Sequence, residues 1–273
     1  MFYILLAWRL KKKGGEIDSQ SLEKAWGYLQ GRAKDGKITS FGPFSYWADN
    51  LKIEEGTVIP YNQGLYVLAL EALGELGFQI SQEEKNKAKV AYFQALQDFF
   101  YQDISGLFPE VLSRWLFGKK IIPDEEVLKI IDNWIDTAAV YYSDGRLAGI
   151  KTISAKDGKF LPMKEFEVEP LAHPGDYQNG GNWPLWNLGA LILAFKISGN
   201  EKYKEIIEGL IGQELQDGAS KEYWHLGEEN LGKVDKIRCN YSWNALIYPL
   251  LIWGGIISSP ATRVSPSPVR FPD

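Results

Sequence analysis

The sequence predicts an all-α fold of antiparallel helical hairpins, eight or nine helices in all, and three observations carry that expectation. Apolar residues recur with helical period along most of the 273-residue chain. Start signals are clear, such as Ser81-Gln82-Glu83-Glu84 as a capping box and Pro123 ahead of Asp124, Glu125 and Glu126. Short polar links, such as Ser198-Gly199-Asn200, join neighbouring helices.

The first element reads MFYILLAWRLKKKGG, an apolar stretch followed by lysines. A secretory signal has the opposite order, and so short an apolar run cannot cross a bilayer. The segment therefore reads as a helix whose last turn carries Lys11, Lys12 and Lys13 against the dipole, ended by Gly14-Gly15. An apolar helix starting at residue 2 looks like a cut end, and the expected location is cytoplasmic. Next, Ser21 opens a helix to Lys34 with Leu22, Ala25, Trp26 and Leu29 on one face. Gly64–Leu76 is apolar nearly all round, as in a helix buried between others. Ser81 begins a helix to about Tyr101, and Asp124–Val140 follows Pro123. Trp183–Ile197 and Glu201–Leu215 form a pair, and Ser242–Ile256 is strongly apolar. Two long stretches, 36–60 and 141–181, have little helical signal; their length and aromatic content predict functional loops. Within the second, Lys156-Asp157-Gly158 predicts a small β-hairpin. Residues 1–257 are expected to form one domain and the Pro/Ser-rich 258–273 a disordered tail.

Composition excludes several function classes. Lys and Arg number 30 against 35 Asp and Glu, for a net charge of −5. With a pI near 5.3 and no long basic block, nucleic acid is not the expected partner. The single Cys239 rules out a disulfide framework and any multi-thiolate zinc site, and only His173 and His225 could supply imidazole. Neither a metal nor an organic cofactor is expected, and no membrane partner. The ten tryptophans and 14% aromatic content point instead to a small neutral ligand.

Three segments concentrate polar and aromatic residues at the start of apolar helices. They are Ile59-Pro60-Tyr61-Asn62-Gln63-Gly64, the run from His173 to Pro184, and Lys221-Glu222-Tyr223-Trp224-His225 with Cys239-Asn240-Tyr241-Ser242-Trp243-Asn244. Amides can pair with sugar hydroxyls as donor and acceptor, and aromatic faces stack on a pyranose. Composition thus predicts carbohydrate contact by Tyr61, Asn62, Gln63, Asp176, Tyr177, Gln178, Asn179, Trp183, Trp224 and Trp243, with His225 able to donate to a sugar hydroxyl.

The run YQNGGNWPLWNLGALILA resembles a segment of the six-hairpin glycosidases, which include trehalase, the glucosidase part of glycogen-debranching enzymes and neutral/alkaline invertase. KEYW, GK and RCNYSWNALIYPLL are similar to a second motif of the invertases, and IPYNQGLYVLALEAL is a weaker match to a third. The resemblance spans about residues 46–257. It implies an (α/α) toroid, incomplete at this length, and inverting hydrolysis of an α-glucosidic bond in a small oligosaccharide, with Glu222 as the base that activates water. The family's general acid is an aspartate at the position of Asn62, and an amide cannot deliver a proton. Asp49, flanked by Tyr46 and Trp47, is the expected substitute, with Asp176 a third candidate. Two other readings stay open: a non-catalytic, sugar-binding remnant of such an enzyme, and a toroid-fold epimerase or unsaturated-uronide hydrolase.

Overall fold

The computed structural model describes residues 1–42, 45–214, 223–228, 231 and 242–258. Within them the chain is mostly helical: α1 Phe2–Lys12, α2 Ser19–Arg32, α3 Pro60–Glu75, α4 Gln82–Asp98, α5 Phe108–Leu112, α6 Asp124–Ala138, α7 Pro184–Ser198, α8 Glu201–Glu214 and α9 Ile247–Gly254. The start signals act as their chemistry dictates. The Ser81 hydroxyl accepts from Glu84 N at 3.0 Å to cap α4. Helix α2 begins earlier than Ser21, because Asp18 is the better-placed cap and accepts from Gln20 N. Helix α3 begins one turn before Gly64, since Pro60 presets its first turn. Gly199, at φ 64, closes α7 and turns the chain into α8.

Helices α3 and α7 are buried on every side through most of their length, which is why their sequences lack a polar face. Around them the odd-numbered helices neighbour one another in chain order: α1 against α3, α3 against α5, α5 against α7, α7 against α9. The even-numbered ones flank this arc, with α2 on α1, α4 on α3, and α6 and α8 on α7. Helix α3 approaches α4 and α5 closely at Gly64, where a Cβ would lie 2.5 Å from Pro109 and 2.7 Å from Tyr92.

A helical stretch not foreseen in the sequence completes the arc. Residues Ile104–Leu107 form a 3-10 turn that runs into α5 and then a π-turn to Phe117, stopped by Gly118 at φ 64. Pro109 falls in the first turn of α5, where a missing N–H costs nothing.

Three two-stranded antiparallel sheets occur among the described residues. They pair β1 Ala33–Lys34 with β2 Lys37–Ile38, β3 Gln102–Asp103 with β6 Ile153–Ser154, and β4 Ala139–Tyr141 with β5 Leu147–Ile150. The hairpin expected around Lys156-Asp157-Gly158 is only a turn, closed by Ala155 N donating to Lys159 O at 2.9 Å. Its far arm cannot pair back, because the Leu161 backbone is held by Asn179. No helix among the described residues is long and apolar enough to cross a membrane. Residues 259–273 of the expected tail lie outside the described residues.

Candidate active site

The first turns of α3 and α7 bring two of the sequence-predicted segments together, and the loop 45–51 joins them. Tyr61 packs edge-on against Trp186 at 5.5 Å; Trp186 meets Trp47 at 5.2 Å, and Trp47 meets Trp183 at 5.0 Å. Trp183 stacks on Tyr223 at 5.5 Å and touches Tyr177 at 5.4 Å. One continuous aromatic wall therefore runs from α3 to the segment beside Glu222. Its rings mostly cover one another, and Trp47 and Tyr177 are its half-buried members.

The amides behave differently from the expectation of hydroxyl binding. Gln63 is fully buried: its Oε1 accepts from Ile38 N, and its Nε2 donates to Gly36 O and Ala88 O. Asn179 is equally buried, accepting from Leu161 N at 2.9 Å and donating to Leu161 O at 2.9 Å and Ala172 O at 2.8 Å. Gln178 accepts from Asn50 N and donates to Trp47 O and Asp49 Oδ1, tying the 45–50 loop to the turn before α7. Gln178 and Asn179 thereby satisfy loop backbone that has no ladder partner, the usual reason for a buried amide, while Gln63 ties the β1–β2 hairpin to α3 and α4. Asn62 Nδ2 donates to Ser45 O at 2.7 Å and holds the same loop from α3. Trp224 is buried and bridges Asn182 through two backbone hydrogen bonds of 2.9 Å.

The carboxylates separate by environment. Asp49 is exposed, and its Oδ1 is held by Gln178 at 2.9 Å. Asp176 is half-buried: its Oδ1 accepts from Tyr177 N at 2.9 Å and the Tyr223 hydroxyl at 3.0 Å, and lies 3.0 Å from His225 Nδ1. Burial alone would raise its pKa, but His225, Tyr223 and the Tyr177 N–H together hold it below the ordinary range. Tyr177 itself sits at φ +36, in the left-handed region that a bulky side chain rarely adopts. The loop behind it closes tightly: Gly175 has φ +82, and a Cβ there would lie 1.8 Å from Gly227 N.

Asp176 and His225 face a cavity of about 490 Å³, lined also by Phe160, His173 and Glu228. Its size falls within the range of small-molecule sites. Both histidines of the chain border it. Glu222, the expected base, lies outside the described residues, one position before Tyr223, and so does the side chain of Trp243.

A carboxyl that the motifs did not single out lies at the other end of the aromatic wall. Asp103 is half-buried at the start of the 104–117 stretch, with Oδ1 accepting from Ser105 N at 3.0 Å. Burial raises its pKa from 3.8 to about 7, against the opposing pull of Ser105 and Tyr46. The Tyr46 and Tyr61 hydroxyls lie close enough to feel its charge, and the Ser105 hydroxyl is 2.6 Å from Trp47 Nε1.

No family model and no curated protein matches the chain. The likeness to the six-hairpin glycosidases thus rests on the motifs of the three segments alone, and the wall holds a ring from each: Tyr61, Trp183 and Tyr223. Among the described residues, no group of His, Cys, Asp and Glu could hold a metal ion.

Proposed function

We propose that the chain is a glycoside hydrolase that cleaves an α-glucosidic bond of a small oligosaccharide by direct attack of water, with inversion. The arc of α1, α3, 104–117, α7 and α9 is part of an (α/α) toroid in this reading, with the substrate lying across the first turns of its inner helices. One observation carries it: the motif segments of α3 and α7 and the residues next to Glu222 meet in a single aromatic wall, which ends at a carboxylate-lined cavity of about 490 Å³. Asp176 and His225, which line that cavity, supply acceptor and donor groups for hydroxyls. Glu222 acts as the base. The amides Gln178 and Asn179 serve by fixing the loops around the turn that carries Asp176.

The test uses the full chain and its Glu222→Gln variant on maltose- and trehalose-type disaccharides, with product anomers followed by NMR. The expected result is turnover by the parent to the inverted anomer and a loss of roughly 10²–10⁴-fold in the variant. Sugar binding without turnover above the variant would leave a non-catalytic carbohydrate-binding protein. One observation favours a second reading, sugar epimerisation: His173 and His225 border the same cavity. Solvent deuterium incorporated into unhydrolysed sugar would identify it.

A further inference from the structure

Composition as a whole points away from a membrane partner, but the charge of the chain is unevenly spread. Residues 1–15 hold Arg9, Lys11, Lys12 and Lys13 and no acid. All 35 Asp and Glu lie in the rest of the chain, which is therefore more acidic than the whole-chain charge of −5. Such asymmetry marks a surface for an anionic partner. The fold reinforces it. Lys12 lies 2.9 Å from Glu75 at the last turn of α3, and Lys85, Lys89 and Lys119 surround Glu71 one turn earlier, so ammonium groups outnumber carboxylates there as well. Arg9, Lys11 and Lys13 are exposed and make no ion pair among the described residues. Glu16 and Asp18, beyond Gly14-Gly15, are the nearest acids along the chain.

The helix that carries this surplus, α1, has two apolar sides. Ile4, Leu5, Ala7 and Trp8 are buried against the body, where Trp8 stacks on Phe117 at 4.3 Å and donates to Glu75. On the other side Phe2, Leu6 and Leu10 recur every fourth residue with Tyr3 beside them, exposed by 56, 66, 45 and 43%. Arg9 and Lys13, three residues on from Leu6 and Leu10, border this stripe. Apolar side chains edged by cations complement a layer of acyl chains beneath phosphates. Other occupants fit less well. A second copy laid along the stripe would set like charges against each other. The four side chains offer roughly 400 Å², about half of what one partner contributes to a stable protein interface. Lipid asks for no matching surface.

We propose that α1 docks the protein in the plane of an anionic lipid surface, with Phe2, Tyr3, Leu6 and Leu10 in the headgroup–acyl boundary and Arg9, Lys11 and Lys13 against lipid phosphates. This stands independently of the hydrolase reading. At 11 residues α1 lies on the bilayer and does not cross it. The helix is already packed on α2 and α3, so docking orders little additional chain. Its basic end meets the last turn of α3, whereas the aromatic wall begins at Tyr61 in the first turn. The two are therefore roughly 20 Å apart along α3, at about 1.5 Å per residue.

The test is co-sedimentation of the full chain with vesicles of phosphatidylcholine alone and of phosphatidylcholine with phosphatidylserine in equal parts, at low and high salt. The expected result is binding to the mixed vesicles, at least about tenfold weaker binding to phosphatidylcholine alone, and weakening as salt screens the charges. Each basic residue near such a surface is worth roughly fivefold, so Arg9→Gln with Lys13→Gln should weaken binding by about 25-fold. Leu6→Ser with Leu10→Ser should weaken it by about tenfold or more. All four positions are exposed, so circular dichroism and Tm should stay those of the parent. If a variant does not fold, the lipid and salt dependence of the parent decides. A parent that binds neither vesicle, or both equally, overturns the proposal, as do folded variants that bind like the parent. Dimerisation that Leu6→Ser abolishes, without vesicle binding, would assign the stripe to a second copy and overturn it too.

Discussion

The Asp103→Asn exchange tests the raised pKa of this half-buried carboxyl through stability alone. Asp103 goes from an ordinary 3.8 to about 7 on folding, so the folded chain holds a proton that the unfolded chain releases between those values. Stability from this group is therefore complete below about pH 4, is lost as pH rises towards 7, and changes no further above it. At about 1.4 kcal/mol per pKa unit, the full difference corresponds to an upper limit of about 4 kcal/mol. Asp103 is only half-buried, so water screens part of this and about 2 kcal/mol is the better expectation. Asparagine keeps an oxygen to accept from Ser105 N but carries no titrating proton. Relative to the parent, the variant should be near neutral at pH 4 and stabilised by about 2 kcal/mol at pH 8. For a chain of this size that is a Tm gain of roughly 4–8 °C. Urea midpoints or Tm of both proteins, measured from pH 4 to 8, read the difference directly, because every other titrating group cancels. A parent–variant difference that is flat across this range would refute a raised Asp103 pKa.

Two further substitutions probe the frame around the site. Asn179→Ala removes three buried hydrogen bonds to the Leu161 and Ala172 backbone and should cost about 3 kcal/mol in urea unfolding; a cost below about 1 kcal/mol would show that the loop does not depend on this amide. Glu71, buried on α3, would be raised by desolvation, but Lys119, Lys89 and Lys85 overcome that and lower it to about 2. Its contribution is therefore present above about pH 4.5 and lost as pH falls towards 2. Glu71→Gln should cost about 1–3 kcal/mol at pH 7 and flatten the acid limb of the stability curve; an unchanged acid limb would refute the lysine-cluster account.

Much of the helical layout was legible because its signals are local. Ser81, Asp124 and Gly199 act within one turn of where they sit, and the lack of a polar face on α3 and α7 follows directly from burial on every side. The amides were misleading for an equally physical reason. Asn179 and Gln63 have the composition of a sugar site, but the same donor–acceptor pairs also satisfy stranded loop backbone, and only the fold determines which partner is nearer. Aromatic residues share this ambiguity: Trp183 was placed on the wall by its motif, whereas its burial between Trp47 and Tyr223 depends on two distant segments.

Asp103 shows how a perturbed carboxyl escapes a reading of motifs. Its flanks, Tyr101-Gln102 and Ile104-Ser105-Gly106, carry neither a helix-start pattern nor an amide cluster, and Gly106 and Pro109 hide the helical stretch that follows. A raised carboxyl pKa is a tertiary property, produced here by burial next to Tyr46 and Tyr61 from two other parts of the chain.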